Sequence, residues 1–248
     1  MKYLIGDIGN TSTKICIMSR KFQILRSYNF ETNKMYKNNL LKKIIRKKTN
    51  KNINSVFLFS SVVPKVFMSI KKNFKSTKFK ILEIKSLKLN RIIKINIKNK
   101  NNLGSDRIAN AIGAKKLKNC LIIDFGTATT FDVIKDGTYE GGVIAPGINL
   151  SIKNLSQATA LLPLINLKTN QKNYGKNTIE AINAGFVWGY EGLINNIIDK
   201  ITSKSKIKYK ILLTGGYANF FNKMIKKKVA IDQDITIKGI ANAYKELI

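Results

Sequence analysis

The chain has 248 residues, 44% of them apolar and 24% charged, which is the composition of a globular protein of one large domain or two small ones. With no histidine and only two cysteines, it has no histidine base, no Ser-His-Asp or Cys-His nucleophile, no histidine-ligated metal and no disulfide framework. The formal charge of +31 comes from 45 Lys+Arg against 14 Asp+Glu, but it is spread along the chain among abundant Asn and Ile, as in MYKNNLLKKIIRKKTNKNIN. It therefore reads as the codon bias of an AT-rich genome before it reads as a basic surface for nucleic acid.

Taken in order, YLIGDIGNTSTKICIM predicts an apolar strand, a glycine-containing turn and a second strand. No apolar run approaches the ~18–20 residues of a membrane span. The opening segment meets Asp7 too early for a signal peptide, so a cytoplasmic protein with reduced thiols is expected. Leu40, Leu41, Ile44 and Ile45 stand at helical spacing; VFLFSSVVPK reads as a buried strand ending at Pro64, KFKILEI as another strand, and DRIANAIGAKKL as a short helix. The Lys/Asn-rich stretches 46–54 and 96–102 read as solvated loops.

The opening phrase then returns as CLIIDFGTATTFDVI. Aligning Asp7 with Asp124 also aligns Gly9 with Gly126, Ser12 with Thr129 and Thr13 with Thr130, leaving Thr11 opposite Ala128. The repeat points to two similar α/β halves, 1–112 and 113–248. YEGGVIAPGI follows as glycine-punctuated strand and turn, and Thr178–Ile201 as a long helix. The stripe Leu193, Ile194, Ile197, Ile198 and Ile201 on that helix is either core or a subunit face. KILLTGGYANFF closes the series as strand, glycine turn and helix, and the alternation of strands with helices gives the α/β class.

Acid–base chemistry must come from carboxylates, lysines or tyrosines. Three acids lie in glycine-containing turns, Asp7, Asp106 and Asp124, whereas Glu31, Glu83, Glu140, Asp232, Asp234 and others are scattered. In DIGNTSTK, Gly9 lets backbone N–H groups approach an anion, Asn10, Thr11, Ser12 and Thr13 offer donors, and Lys14 adds charge. Asp7 would repel a phosphate, so its natural partner is a magnesium ion beside the phosphates; a hairpin tied by Asx-type bonds is the bland alternative. DFGTATT offers similar chemistry through Thr127, Thr129 and Thr130. In GSDR, Ser105 or Asp106 is either a helix cap or, for Asp106, an acceptor for a substrate hydroxyl proton, with Arg107 gripping an anion. TGG at 214–216 either seats a base or closes the fold.

Two D-x-G turns rich in hydroxyls and a late T-G-G turn resemble the sugar-kinase/heat-shock-ATPase/actin superfamily of paired ribonuclease-H-like domains. The ordered set DIGNTSTK, SSVVP, GSDRIAN, DFGTATTFDV, GGVIAPG, TALLP, TIEAINAG, TGG and DQDITIKGI resembles one family within it, type III pantothenate kinase, over nearly the whole chain. The resemblance implies two ribonuclease-H-like halves with a cleft between them and ATP-dependent phosphorylation of pantothenate, the first step to coenzyme A. It also implies a homodimer and a need for potassium or ammonium. By motif it assigns Asp7, Ile8, Gly9, Asn10, Thr11, Ser12, Thr13 and Lys14 to the ATP phosphates, with Asp7 at magnesium and Thr127 on ATP. Gly104, Ser105, Asp106, Arg107 and Thr178 go to pantothenate, Asp106 being the proton acceptor, and Asp124 goes to the monovalent cation. Ile97 and Lys100 stand where the family usually has a tyrosine and a proline, which implies a raised KM for pantothenate. A kinase of another small alcohol and a nucleic-acid-binding regulator on a degenerate kinase fold are the alternatives; neither nucleic acid nor membrane is expected as a partner.

Overall fold

The computed structural model describes residues 1–35, 40–47, 52–169, 173–203 and 206–247. Of the two expected solvated loops, 96–102 is largely exposed; in the other, 46–54, Arg46 instead closes a helix, Ile53 and Asn54 open a strand, and residues 48–51 lie outside the described residues. The first strands are β1 (Lys2–Ile8), β2 (Ser12–Met18), β3 (Ile24–Glu31), β4 (Ile53–Ser61), β5 (Lys80–Glu83) and β6 (Lys94–Ile95). Between and after them come helices α1 (Leu40–Arg46), α2 (Pro64–Asn73), α3 (Leu89–Ile92) and α4 (Ser105–Ala114). The chain continues through β7 (Cys120–Phe125), β8 (Ala128–Lys135), β9 (Thr138–Pro146), α5 (Ile148–Gln157), α6 (Thr178–Thr202), β10 (Lys210–Gly215), α7 (Ala218–Phe221), β11 (Val229–Ile231) and α8 (Ile235–Lys245).

Two compact units result: residues 1–116, 137–139 and 234–248 form one, and 117–136 with 140–233 the other. Against the expected halves 1–112 and 113–248, the first unit also takes in 113–116, 137–139 and, most consequentially, α8. The reason is its apolar face. Ile237, Ile240, Ala241 and Tyr244 are buried, α8 lies along α4 and β1, and the Tyr244 hydroxyl donates to the Val56 carbonyl at 2.7 Å.

In the first unit the sheet order is β3-β2-β1-β4-β5. The β1–β2 and β2–β3 pairs are antiparallel, and the β1–β4 and β4–β5 pairs are parallel. Leu4, Ile8, Phe57 and Phe59 pack with Leu41 and Ile44 of α1 and with Val66 and Ile70 of α2. With α8 also packed on β1, that strand is covered on both faces, which is why it reads as a continuous apolar run rather than an alternating one. The short β6 pairs parallel with Thr138 and Tyr139 at the start of β9.

The second unit repeats this plan strand for strand. Its strands run β11-β10-β7-β8-β9, with β7–β8 antiparallel and both β7–β10 and β10–β11 parallel. The duplication expected from the two D-x-G phrases is thus present in topology. The residue alignment proposed for it shifts by one beyond the glycines. Ile8 pairs with Thr13, but Phe125 pairs with Thr129, so Thr13 corresponds to Thr129 and Lys14 to Thr130. The first turn carries Gly9, Asn10, Thr11 and Ser12 where the second carries only Gly126, Thr127 and Ala128, one residue fewer. The stripe on α6 resolves as core: Ile194 and Ile198 are buried among Leu121, Ile123 and Phe221, and Leu193, Ile197 and Ile201 pack against them. Both cysteines are buried free thiols, and burial pushes Cys120 up to about 12.

The backbones of α4 and α8 approach each other closely, at glycines on both helices. A Cβ on Gly239 would collide with the Ala109 carbonyl, and one on Gly113 with the Ile235 carbonyl. Gly239→Ala must push the helices apart, and overpacking of this kind costs about 1–3 kcal/mol. The urea midpoint should fall accordingly at unchanged m-value. Gly192→Ala, on α6 where a Cβ meets nothing, should instead leave stability unchanged or raise it by up to about 1 kcal/mol.

Candidate active site

The β1–β2 turn is held open from below. Thr32 donates its hydroxyl to the Gly9 carbonyl at 2.7 Å, so the 3.0 Å contact between the Thr13 and Thr32 hydroxyls has Thr13 as donor. The backbone adds Gly9 N–H to the Ser12 carbonyl at 3.0 Å and Thr32 N–H to the Thr11 carbonyl at 3.0 Å. Ile8 and Thr13 are fully buried, which turns them away from any ligand, while Asn10, Thr11 and Ser12 stand exposed at the tip. Asp7 and Lys14 face each other across the ladder, both half-buried. The Lys14 ammonium sits 2.6 Å from an Asp234 carboxylate oxygen. Partly exposed pairs contribute only ~0–1 kcal/mol to stability, so the consequence of this one is to fix where the ammonium points.

The GSDR turn is the N-terminal end of α4. Gly104 precedes the helix and offers no capping side chain. Asp106 accepts the N–H of Arg107 on Oδ1 at 2.8 Å, and a Cβ on Gly104 would press on that carboxylate. Asp106 and Arg107 are half-buried; Ser105 is 1% exposed and points inward. Its hydroxyl donates to Oε1 of Glu83 at 2.5 Å. Burial pushes the Glu83 carboxyl up, opposed by the hydrogen bonds from Ser105 and from the Lys85 N–H. The Arg107 guanidinium lies 5.9 Å from the centre of the buried Tyr139 ring, within cation–π range. Ile97 is half-buried and Lys100 exposed in the segment leading to the turn.

In the second unit, Asp124 lies near the end of β7, half-buried between Thr130 of β8 and Thr214 of β10. Gly215 has φ +84°, and a Cβ there would come within 2.7 Å of Asp124 Oδ1 and 2.6 Å of the Phe125 carbonyl. The glycine of the T-G-G turn therefore keeps open the space beside the carboxylate. Thr127 is exposed, and its carbonyl accepts the Gly147 N–H at 3.1 Å. A Cβ on Gly147 would strike the carbonyls of Gly126 and Thr127, so the last glycine of GGVIAPG is what lets α5 back this turn. Thr178 begins α6, where Asn177 caps the Glu180 N–H and Glu180 in turn accepts the Lys176 N–H, both at 2.9 Å. It stands at the rim of a cavity of about 820 Å³ walled by Pro146, Leu162, Ile182, Phe186 and Tyr190.

Three functional neighbours escaped the sequence reading: Asp234 on Lys14, Glu83 on Ser105, and Tyr139 beneath Arg107. Each meets its partner from a distant part of the chain, 220, 22 and 32 residues away, and has no local motif of its own.

Two topologically equivalent α/β units, each presenting a carboxylate beside a glycine turn, define a protein of the sugar-kinase and actin-like ATPase fold. Solved structures of that class match over the whole length. They include the activator of the 2-hydroxyisocaproyl-CoA dehydratase from Clostridium difficile with bound ADPNP (TM-score 0.57, 13% identity, 98% of this chain and 92% of that one). A Baf family transcriptional activator from Campylobacter jejuni matches with TM-score 0.64 at 20% identity over 98% of both chains. The family model for type III pantothenate kinase matches residues 3–200. A type III pantothenate kinase of Pelagibacter ubique is 48% identical over 97% of both chains, and one of Fervidobacterium nodosum is 33% identical over 98% of this chain and 97% of its own. The chain belongs to the type III pantothenate kinase family and is a kinase.

The cradle at Gly215 yields a direct check. Gly215→Ala forces an L-residue into positive φ and a methyl group against the Asp124 carboxylate. It should destabilise the protein by about 1–3 kcal/mol, read as a fall in the denaturation midpoint.

Proposed function

We propose that the chain transfers the γ-phosphoryl group of ATP to the primary hydroxyl of pantothenate, the first step of coenzyme A synthesis, with Asp106 as the proton acceptor. The observation carrying this reading is the disposition of the α4 turn. Asp106 is half-buried and held at its own helix start, with Arg107 beside it and no histidine anywhere in the chain to act instead. Phosphoryl transfer asks mostly for positioning and charge stabilisation, so a carboxylate of modest basicity suffices. Asp106 would take the hydroxyl proton at its free oxygen while Arg107, oriented by Tyr139, offsets charge on the transferring group.

The β1–β2 turn fits the nucleotide phosphates: Asn10, Thr11 and Ser12 present exposed donors, and Lys14 is aimed by Asp234. Ile8 and Thr13 would act only through the backbone. A magnesium ion that arrives with phosphates needs only one or two carboxylates from the protein. Asp7 would hold that ion or its waters, and the ion would supply positive charge to the phosphates. Asp124, beside the space that Gly215 leaves, would hold potassium or ammonium. Thr127 would contact ATP, and Gly104 and Thr178 the pantothenate; Ser105, its buried hydroxyl held by Glu83, would meet the substrate only through its backbone. Among the described residues no helix is long and apolar enough to cross a membrane. The cytoplasm is proposed as the compartment because ATP, the phosphoryl donor, is made and held there. We also propose a homodimer. The second unit exposes Ile144 (63%), Ile179 (56%) and Trp188 (43%), apolar side chains that a partner subunit would cover.

A coupled assay with pantothenate tests the chemistry. Asp106→Asn should lower kcat by roughly 10²–10⁴-fold with the fold intact, and retention of more than about a tenth of wild-type kcat would remove the proton-acceptor assignment. In the same assay wild-type activity should collapse in sodium-only buffer and recover with potassium or ammonium; equal rates in all three would remove the cation from Asp124. For the assembly, sedimentation of wild type should give twice the chain mass, and Trp188→Asp should shift it toward the single chain. A wild type that sediments as one chain ends the dimer proposal.

A further inference from the structure

Glu83 is a half-buried carboxylate beside the GSDR turn that the reaction as written leaves unused. It ends β5, opposite Phe59 of β4 in the parallel ladder, and every part of it is engaged. Oε1 accepts the Ser105 hydroxyl, Oε2 accepts the Lys85 N–H at 2.9 Å, and its carbonyl accepts the Ser86 hydroxyl at 2.6 Å. Lys85 reaches on to the Asn101 carbonyl at 3.1 Å, in the segment just before the GSDR turn. Two hydrogen bonds thus hold the carboxylate, and the end of β5 is tied to the turn at Ser105 and to the segment before it at Asn101.

The α4 start needs such a fastening. Its N-cap residue is Gly104, which has no side chain to accept the first helical N–H groups, and Asp106 spends one oxygen on the Arg107 N–H. With Ser105 shut off from water, its hydroxyl has Glu83 as partner, and removing that partner would strand a buried donor. Burial also works against ionising Glu83, so the arrangement is a costly way to gain stability alone; what it supplies is direction.

We infer that Glu83 is a positioning residue for phosphoryl transfer: through the Ser105 hydroxyl it fixes the Gly104–Arg107 turn, and with it the line along which the Asp106 carboxylate meets the substrate hydroxyl. The inference rests on the reading of Asp106 as proton acceptor. Displacing a reacting group by about 1 Å can cost about 10²-fold in rate, so a side chain that never touches substrate can still govern kcat.

The test is steady-state kinetics on Glu83→Ala, Ser105→Ala, the double variant, Glu83→Gln and Asp106→Asn. KM is read separately for ATP and pantothenate, and folded fractions are matched by circular dichroism. Glu83→Ala and Ser105→Ala should each lower kcat by about 10–100-fold while KM for ATP stays within about twofold. The double variant should be no worse than the weaker single variant by more than about twofold, because both remove one contact. Glu83→Gln should recover part of the rate, since its amide oxygen can still accept the buried Ser105 hydroxyl while the N–H of exposed Lys85 turns to water. Wild-type kcat in Glu83→Ala, or losses that multiply in the double variant as they would if Ser105 touched substrate independently, overturns the inference. If Glu83→Ala does not fold, Ser105→Ala with unchanged kcat overturns it equally. The arms separate the two readings. A fully active Asp106→Asn removes the proton-acceptor assignment, whereas an inactive Asp106→Asn beside a fully active Glu83→Ala removes only the role of Glu83.

Discussion

The first unit depends on one close approach, that of α8 to α4 at Gly239 and Ala109, where two helix backbones meet with no side chain between them. Neither helix could come so near with any larger residue. Their contact is reinforced by Thr236, whose hydroxyl donates to the buried Asn110 side chain at 2.7 Å. From this seam both halves of the first unit's chemistry are positioned. At one end α8 begins just after Asp234, which reaches Lys14 on the β1–β2 turn. Along the other helix, α4 begins at the turn bearing Asp106 and Arg107. A packing constraint in the helix layer thus decides where a cation and a carboxylate stand.

The two units solve the same problem with different hydrogen bonds. In the first, the D-x-G turn is braced by a single threonine, Thr32, that ties Gly9, Thr11 and Thr13 together. In the second, the brace is the start of α5, which can approach only because Gly147 has no side chain. The shorter second turn and its helical support leave Thr127 exposed where the first turn has its polar tip. A duplicated sheet has therefore acquired two unlike turns while conserving its strand order.

Much of this was legible in the sequence because it is local. An apolar run followed by Asp-x-Gly and hydroxyls declares a strand and a turn, and its recurrence declares the duplicated topology. The one-residue shift after the glycines was not legible, since loop length alters pairing register without altering the motif. Nor was α8 or its return to the first unit, since nothing local in residues 235–245 says which sheet the segment will cover. The α6 stripe was ambiguous for the same reason, and only the surrounding Leu121, Ile123 and Phe221 decide that it is core. Of the candidate site, Asp7, Asp106 and Asp124 announced themselves by their turns. Glu83, Asp234 and Tyr139 act on distant partners and look, in the sequence, like any other scattered residue. The roles of Ile8 and Thr13 depend on which way a strand residue faces, and burial turns both inward.

The return of α8 also has a consequence for biosynthesis. Residues 235–245 leave the ribosome only after the whole of the second unit has been made. The second unit is continuous but for three residues and can close on itself as it emerges. The first must wait with β1 lacking the helix that covers one of its faces and α4 lacking its neighbour. During translation its sheet is an unfinished template with exposed apolar backbone-rich surface, the kind of nascent species that invites chaperone capture. Order of synthesis and order of completion are therefore reversed: the half that is made first is the half that is finished last.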